Sequence, residues 1–155
     1  MLTINIPGRG ELALSHLVLD YNGTIALDGT IIPGIAERLE QLKNDLSIWV
    51  ITADTHGTAA RHCEGLPLTL LTHPTTEVGA IKADFVRSLT GGVVTIGNGF
   101  NDVAMSDAAE LSLCVLGPEG CCGKLTAHCD ILLTSILDAL DLLLVPNRIR
   151  ATLRT

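Results

Sequence analysis

Four side chains that could carry out phosphoryl transfer are spread along the chain: Asp20, Thr52, Lys82 and Asp102. Phosphoryl transfer needs an attacking oxygen, hydrogen-bond donors around the equatorial oxygens, and positive charge near the transferring group. An aspartate could attack, a threonine hydroxyl and a lysine ammonium could hold phosphate oxygens, and a second aspartate could serve a metal ion. These residue types fit the chemistry if the fold brings them together.

Each residue taken alone has a plainer interpretation. Asp20 could be a turn former or helix cap, Thr52 a hydroxyl capping the next helix, and Lys82 part of a solvated helix face. Position favours the chemical interpretation, because Asp20, Thr52 and the segment 98–102 each follow an apolar run that predicts a buried strand. In open α/β sheets, ligands bind in the crevice beyond the carboxyl ends of the strands.

Predicted strands alternate with predicted helices along the chain, which is typical of a parallel sheet covered by helices on both faces. The predicted strands cover residues 2–6, 11–20, 46–52, 66–71, 93–96, 111–116 and 130–133, and the predicted helices cover residues 35–43, 57–64, 77–89, 102–109 and 135–144. Thr75 or Thr76 is the expected cap of the helix that carries Lys82. We therefore predict a Rossmann-like α/β fold, with residues 1–155 forming a single domain.

A short hairpin is predicted soon after Asp20. Asp28-Gly29 lies between the apolar segments 25–27 and 30–32, and Asp-Gly in that setting strongly indicates a two-residue hairpin turn. We expect a small flap above the crevice.

In order, four segments resemble the motifs of the haloacid dehalogenase-like (HAD) hydrolases. They are Asp20-Tyr21-Asn22-Gly23-Thr24, Thr52-Ala53-Asp54, Lys82 and Gly97-Asn98-Gly99-Phe100-Asn101-Asp102. Within that superfamily the segments are most similar to the phosphorylation domain of P-type cation ATPases, whose pattern is DKTGT, TGD, a lysine and GDGxND. The resemblance covers about residues 16–145 and implies a cap-less HAD-like fold.

The resemblance implies a Mg²⁺-dependent phosphatase that forms an aspartyl-phosphate on Asp20. The implied catalytic residues are Asp20, Asn22, Thr52 and Lys82. The implied phosphate-binding residues are Asp20, Thr52, Ala53 and Lys82. The implied metal ligands are Asp20, the backbone carbonyl of Asn22, Asn98 and Asp102, the last of these at or just behind the metal. The expected substrate is a small phosphorylated metabolite.

Two residues depart from the family pattern. Asn22 stands where HAD phosphatases carry the aspartate that acts as general acid and base, and an amide cannot exchange a proton at neutral pH. Asn98 stands where the family has an aspartate bound directly to the metal, and an amide oxygen brings no charge. We therefore expect a slow phosphatase, because general acid–base help is typically worth about 10²–10⁴-fold.

Two alternatives stay open from the sequence. One is a non-catalytic module that binds a phosphorylated ligand or regulates a partner while retaining the fold. The other is a detached regulatory domain associated with a membrane transporter. Ion pumping itself is excluded, because no nucleotide-binding domain fits between Thr24 and Thr52 and no membrane helices flank the motifs.

Composition limits the partners. A net charge of −7 and an aromatic content of 3% leave little for phosphate-backbone attraction or base stacking, so we expect no nucleic-acid partner. A hydrophobic fraction of 47% beside only 17% charged residues favours a homo-oligomer, a dimer or tetramer. No apolar run is long enough to cross a membrane. The first residues do not resemble a secretion signal, so we expect a cytoplasmic location.

The five cysteines and the histidines receive plainer interpretations. An odd number of cysteines without a secretion signal indicates reduced thiols. Cys121-Cys122 and His128-Cys129 could hold zinc, but adjacent cysteines do not match the usual spacing of zinc ligands, so buried or loop thiols are preferred. His16 is interpreted as an edge or core histidine, and Thr55, His56 and Arg61 as candidates for the entrance to the site.

Overall fold

The computed structural model describes residues 1–54 and 57–155. The strands are β1 (Leu2–Ile6), β2 (Gly10–Leu19), β3 (Ala26–Leu27), β4 (Thr30–Ile31), β5 (Ser47–Thr52), β6 (Thr69–Thr72), β7 (Gly92–Gly97), β8 (Leu111–Val115) and β9 (Ile131–Leu133). The helices are α1 (Ile35–Leu42), α2 (Ala59–Cys63), α3 (Val78–Ser88), α4 (Val103–Asp107), α5 (Ile136–Leu144) and α6 (Asn147–Leu153), with short 3₁₀ turns at Phe100–Asp102 and Leu125–Ala127.

Six strands form a parallel sheet in the order β6-β5-β2-β7-β8-β9, and β1 adds an antiparallel partner to the first half of β2. Strand β2 lies at the centre, with Leu19 in register with Val50 of β5 on one side and Ile96 of β7 on the other. The predicted Rossmann-like α/β architecture is confirmed. The carboxyl ends of β5, β2 and β7 therefore lie side by side.

Helices cover both faces of the sheet. Successive residues of a strand point to opposite faces, so each buried strand contributes side chains to two cores. Leu17 and Leu19 belong to a core shared with buried residues of α1 and α5. Val18, between them, belongs to a second core with Val86 of α3 and Met105 of α4. Continuous apolar runs such as the end of β2 are what a strand buried on both faces requires.

The predicted flap is present as the two-stranded hairpin β3–β4, with Ala26 paired to Ile31 and Leu27 to Thr30. Asp28 has a φ of 49° and Gly29 a φ of 79°, and positive φ at both central residues defines the turn that suits a two-residue hairpin. Helix α1 begins at Ile35, shortly after β4. The chain thus returns directly from the hairpin to the helical layer.

Three local predictions differ from the structure. Helix α3 begins after Glu77, which has no side-chain cap, and Thr75 only accepts a hydrogen bond from the Glu77 N–H, so neither Thr75 nor Thr76 is the cap. Strand β6 begins at Thr69 rather than residue 66, since Pro67 lacks an N–H. Helix α6 was not predicted, because its buried side chain is Ile149 alone.

Among the described residues, the longest helix, α3, has 11 residues, and none is long and apolar enough to cross a membrane. Of the three residues predicted at the entrance, Thr55 and His56 lie outside the described residues. Arg61 is exposed on α2.

Candidate active site

The sequence motifs meet at one edge of the sheet. Asp20 directly follows β2, Thr52 is the last residue of β5, and Asn98 directly follows β7. These three strands are neighbours, so their carboxyl ends open into one crevice. The Asp20 backbone N–H donates to Ile96 O at 3.0 Å, which ties the start of the Asp20 loop to β7.

Lys82 joins the two predicted aspartates. Its Nζ donates to Asp20 Oδ1 at 2.5 Å and to Asp102 Oδ1 at 2.7 Å. Lys82 and Asp102 are 0% exposed and Asp20 is 6% exposed. A buried charge is tolerated only when it is paired and hydrogen-bonded. Helix α3 therefore presents Lys82 to the interior and not, as the plainer interpretation had it, to solvent.

The surroundings of Asp20 and Lys82 raise the pKa of both groups. The pKa of Asp20 is raised to about 6. Burial is the main cause and the nearby Asp102 carboxylate the second, whereas Lys82 lowers this pKa. Burial alone would lower the pKa of Lys82, but the Asp20 and Asp102 carboxylates outweigh burial and the Lys82 pKa is raised. Lys82 therefore stays protonated between the Asp20 and Asp102 side chains.

Asp102 organises the loop after β7. Its Oδ2 accepts hydrogen bonds from the backbone N–H groups of Asn98 at 3.0 Å and Gly99 at 2.9 Å, while its Oδ1 accepts from Lys82. A Cβ on Gly97 would lie 2.5 Å from Asp102 Oδ2, so the close approach of this carboxylate requires glycine there. Both carboxylate oxygens of Asp102 thus already accept hydrogen bonds from other groups of the protein.

Thr24 also belongs to the candidate site, although its residue type and position in the sequence predicted no separate role for it. Its Oγ1 lies 3.3 Å from Asp20 Oδ2 and 3.2 Å from Asn98 Oδ1, within donating distance of both. A hydroxyl carries a single proton, so Thr24 donates to one of these oxygens at a time. Its place at the end of the Asp20–Thr24 motif was the available signal.

Asn98 is held on its other side as well. Its Nδ2 donates to Gly120 O at 3.1 Å. A Cβ on Gly23 would lie 2.3 Å from that nitrogen, so the turn after Asp20 packs directly on the amide. With the amide nitrogen held in this way, Asn98 Oδ1 faces the Thr24 hydroxyl.

The donors present fit a hard divalent cation. Asp20 Oδ2 and Asn98 Oδ1 both lie near Thr24 Oγ1, and carboxylate and amide oxygens are the ligand types that Mg²⁺ takes. Asn22 is exposed beside them. Among the described residues no three His, Cys, Asp or Glu side chains gather as a metal site, so any cation here depends on amide and backbone oxygens as well.

Thr52 and the residues after it form the third part of the site. Thr52 is 3% exposed, and its Oγ1 accepts a hydrogen bond from the Asp54 N–H at 3.1 Å, so its own proton can be given elsewhere. The Asp54 carboxylate accepts from the N–H groups of Thr58 and Ala59, which satisfies two backbone donors at the start of α2. The backbone of Ala53 lies between these two side chains.

Tyr21 fastens the hairpin to the Asp20 loop. Its side chain is buried, and its hydroxyl donates to Gly29 O at 2.8 Å and lies 3.4 Å from His62 Nδ1. Burial raises the pKa of Tyr21 to about 12, so the hydroxyl keeps its proton. His62 is thus a partner of Tyr21.

An apolar groove of about 390 Å³ adjoins the site between the hairpin, the end of β8 and the start of α5. Its lining includes Leu27, Ile31, Val115, Pro118 and Leu137, and it meets the Asp20 loop at Gly23 and Thr24. Asp20, Thr52 and Lys82 do not line it. The groove therefore lies beside the polar cluster and does not contain it.

The remaining histidine and cysteine predictions concern structure. His16 is half-buried, accepts from Trp49 Nε1 at 3.3 Å and lies 3.1 Å from Thr90 O through Nε2, in agreement with an edge or core role. His128 lies 2.8 Å from Asp107 Oδ1. The five cysteines are free thiols, as expected.

Comparison with solved structures shows the fold. The chain is similar to the cobalt-bound form of deoxy-D-mannose-octulosonate 8-phosphate phosphatase from Haemophilus influenzae, with a TM-score of 0.72, 12% identity, and coverage of 92% of this chain and 94% of that chain. The Moraxella catarrhalis 3-deoxy-D-manno-octulosonate 8-phosphate phosphatase, in complex with a magnesium ion, a phosphate ion and a KDO molecule, gives a TM-score of 0.71, 15% identity, and coverage of 92% and 94%.

Phosphoserine phosphatase in its apo form gives a TM-score of 0.65 at 14% identity, covering 83% of this chain and 98% of that chain. The chain thus has the fold of the HAD hydrolases, as the motif resemblance predicted.

Comparison with curated proteins identifies relatives by sequence. The chain is 47% identical over 62 residues to the uncharacterized protein MJ0073 of Methanocaldococcus jannaschii, covering 40% of this chain and 67% of that protein. It is 51% identical over 39 residues to MJ0072 of the same organism, covering 25% of this chain and 89% of that protein. The chain belongs to the same family as MJ0073. No model of a known protein family matches the chain.

Proposed function

We propose that the chain is a divalent-metal-dependent phosphohydrolase that acts on a small phosphorylated metabolite through an aspartyl-phosphate on Asp20. The observation that carries this proposal is the buried cluster in which Lys82 Nζ lies between Asp20 and Asp102 at 2.5 and 2.7 Å. This cluster lies at the carboxyl end of β2, and the neighbouring strand β5 ends at Thr52. A carboxylate that must receive a phosphoryl group needs this neighbouring positive charge.

In the first step, an oxygen of Asp20 attacks phosphorus, and the bond from phosphorus to the leaving oxygen breaks. Lys82 and the Thr52 hydroxyl donate to the phosphoryl oxygens, with the Ala53 backbone beside them. The leaving oxygen takes its proton from water, since Asn22 has none to give.

In the second step, water attacks the phosphorus of the aspartyl-phosphate, phosphate departs and the Asp20 carboxylate is restored. The water must lose a proton in this step, and no base stands at position 22 to accept it. Slow turnover is therefore part of the proposal.

We propose Mg²⁺ as the cation, held by Asp20, the Asn22 carbonyl and Asn98. When bound, it would neutralise negative charge on the transferring group. Asp102, whose two oxygens are already hydrogen-bonded by Lys82 and two backbone N–H groups, is proposed to position that loop and Lys82, not to bind the cation directly. The similarity to solved HAD phosphatases that hold cobalt or magnesium supports a divalent cation.

We further propose that residues 1–155 act as one catalytic domain in the cytoplasm, as a homo-oligomer resembling a soluble P-type ATPase phosphorylation domain. Exposed apolar side chains support the oligomer: Leu116 is 51% exposed beside the groove-lining Val115, and Leu132 is 51% exposed on the edge strand β9. Sedimentation velocity over a range of protein concentrations tests it, and a monomer throughout would contradict it.

The activity is tested by screening phosphorylated metabolites with Mg²⁺, using Asp20→Asn as the inactive variant and Asp84→Asn as the matched control. Asp84 is an exposed aspartate on α3, paired with Arg87. Phosphate release by the wild type and Asp84→Asn, but not by Asp20→Asn, is expected. If no substrate releases phosphate above the Asp20→Asn level, the phosphohydrolase proposal fails.

A second candidate function is a non-catalytic module that binds a phosphorylated ligand. The neutral Asn22 and the Asn98 amide, which is engaged by Thr24 and Gly120, favour it. Beryllofluoride mimics a phosphoryl group on a carboxylate. Its Mg²⁺-dependent retention by the wild type and not by Asp20→Asn, without phosphate release from any substrate, would select this function.

A further inference from the structure

A pair of thiols that the proposed reaction does not use lies close to the site. Cys114 is buried in β8, Cys129 is half-buried just before β9, and their sulfurs lie 2.9 Å apart. Cys121 also contacts Cys114 through its side chain. The sulfurs of a disulfide lie about 2.05 Å apart, so Cys114 and Cys129 need to move by only about 0.9 Å to be joined.

The segment between these two thiols touches the candidate active site. The Cys122 N–H donates to Asn98 O at 2.8 Å, and Gly120 O accepts from Asn98 Nδ2 at 3.1 Å. Glu119 Oε1 also accepts from the Asp28 N–H in the hairpin at 3.4 Å. The segment 117–128 therefore contacts both the loop after β7 and the flap.

We propose that Cys114 and Cys129 are a redox-active pair that forms a reversible disulfide, with a low-molecular-weight disulfide as the oxidant. Cys129 reacts first because it is the more exposed of the two. Its thiolate attacks one sulfur of the small disulfide, giving a mixed disulfide on Cys129 and releasing one small thiol.

Cys114 then attacks the Cys129 sulfur, forming the Cys114–Cys129 bond and releasing the second small thiol. The protein loses two protons and two electrons, that is, two hydrogen atoms, and the small disulfide gains them. Burial raises the pKa of the Cys114 thiol and shields it from solvent, so an external disulfide reacts poorly with Cys114 directly.

The bond would close residues 114–129 into a ring. A closed ring has fewer conformations in the unfolded chain and in local openings, so the segment that contacts Asn98 becomes harder to displace. Oxidation is thereby coupled to the candidate active site through backbone hydrogen bonds. A metal ion is the other chemistry that clustered thiols serve, but no metal-binding group of three such side chains exists in the described parts of the chain.

The test incubates the wild-type chain in redox buffers of reduced and oxidised glutathione and measures intact mass and cysteine-linked peptides. The expected result is a loss of two hydrogens and one peptide pair joining Cys114 to Cys129. Cys129→Ser should lose this bridge, whereas Cys122→Ser, the matched change in the same segment, should keep it. Bridging of Cys114 to Cys121 instead, or mixed disulfides with glutathione alone, would overturn the proposal.

Hydrogen exchange then compares oxidised and reduced wild type. We expect slower exchange at the Cys122 amide, by about tenfold, and a thermal midpoint raised by about 5 °C. Equal exchange in both forms would overturn the coupling to the site. None of these measurements uses phosphate release, so failure here is distinguishable from failure of the proposed phosphohydrolase activity.

Discussion

Lys82 Nζ lies 2.7 Å from Asp102 Oδ1, and neither side chain is exposed to solvent. The same ammonium lies 2.5 Å from Asp20 Oδ1. One cation therefore pairs with two buried carboxylates, and the stability of the site and its proposed chemistry depend on the same three groups.

Replacing Lys82 by methionine is expected to destabilise the protein by about 3–5 kcal/mol, since it leaves two buried carboxylates without a neighbouring cation. Urea unfolding at pH 7 measures the change. Lys43→Met is the control, because Lys43 is exposed at the end of α1 and forms a surface ion pair with Glu40; its effect should stay within about 0.5 kcal/mol. Equal stability of the two variants would contradict the buried pairing.

Asn22→Asp is expected to speed turnover of the aspartyl-phosphate by about 10²–10⁴-fold, because it restores a group that can accept and donate a proton beside Asp20. Single-turnover phosphate release measures the rate. Asn22→Ala, which adds no proton carrier, should stay near the wild-type rate. A rate for Asn22→Asp that matches Asn22→Ala would show that position 22 does not limit the reaction.

Asn98→Asp is expected to lower the stability of the metal-free protein but to strengthen its binding of Mg²⁺. Without Mg²⁺ it should destabilise the protein by about 1–3 kcal/mol, because the amide donor to Gly120 O is replaced by a carboxylate oxygen. With Mg²⁺ the added charge should tighten cation binding by about tenfold, visible in calorimetric titration and as a larger Mg²⁺-induced rise in the thermal midpoint. No change in Mg²⁺ affinity would place the cation elsewhere.

The raised pKa of Asp20 predicts a pH dependence of stability. In the folded protein the pKa of Asp20 is about 6, against an ordinary value of 3.8 in the unfolded chain. The folded state therefore holds the Asp20 proton more tightly than the unfolded chain does. Stability from this group is therefore present below about pH 4 and lost as the pH rises through about 6, by up to about 3 kcal/mol.

Asp20→Asn removes this titration, so metal-free Asp20→Asn should gain stability over metal-free wild type as the pH rises across that window. Denaturant unfolding of both proteins at matched pH values checks the difference. A constant difference from pH 4 to 7 would contradict the pKa of Asp20.

Arg38 and Asp141 join α1 to α5 through two hydrogen bonds, of 2.7 and 2.9 Å. Hydrogen bonding from Arg38 lowers the pKa of Asp141, so the stability this pair adds is present above the ordinary aspartate pKa and is lost as the pH falls through the lowered value. Asp141→Asn should cost about 1 kcal/mol at pH 7, and less in acid. A loss of stability that is the same at pH 7 and in acid would show that the charge of Asp141 does not contribute to the Arg38–Asp141 interaction.

The sequence by itself determined the order of the elements and supplied most residues of the candidate site. Apolar runs ending at Asp20 and Thr52 specified buried parallel strands, because only strands covered on both faces are apolar throughout. The helical spacing of apolar residues around Lys82 specified α3. The Asp28-Gly29 turn specified the flap. These are local patterns, with periods set by backbone geometry.

Only the tertiary structure decided which side chains meet. That Lys82 is buried between two carboxylates, that both oxygens of Asp102 are hydrogen-bonded, and that Thr24 reaches Asp20 and Asn98 all depend on contacts between elements far apart in sequence. The 2.9 Å approach of Cys114 and Cys129 depends on the packing of the segment between β8 and β9. The spacing of apolar residues in the sequence does not predict such distances. They follow from the order of the strands in the sheet and from the packing of the helices on it.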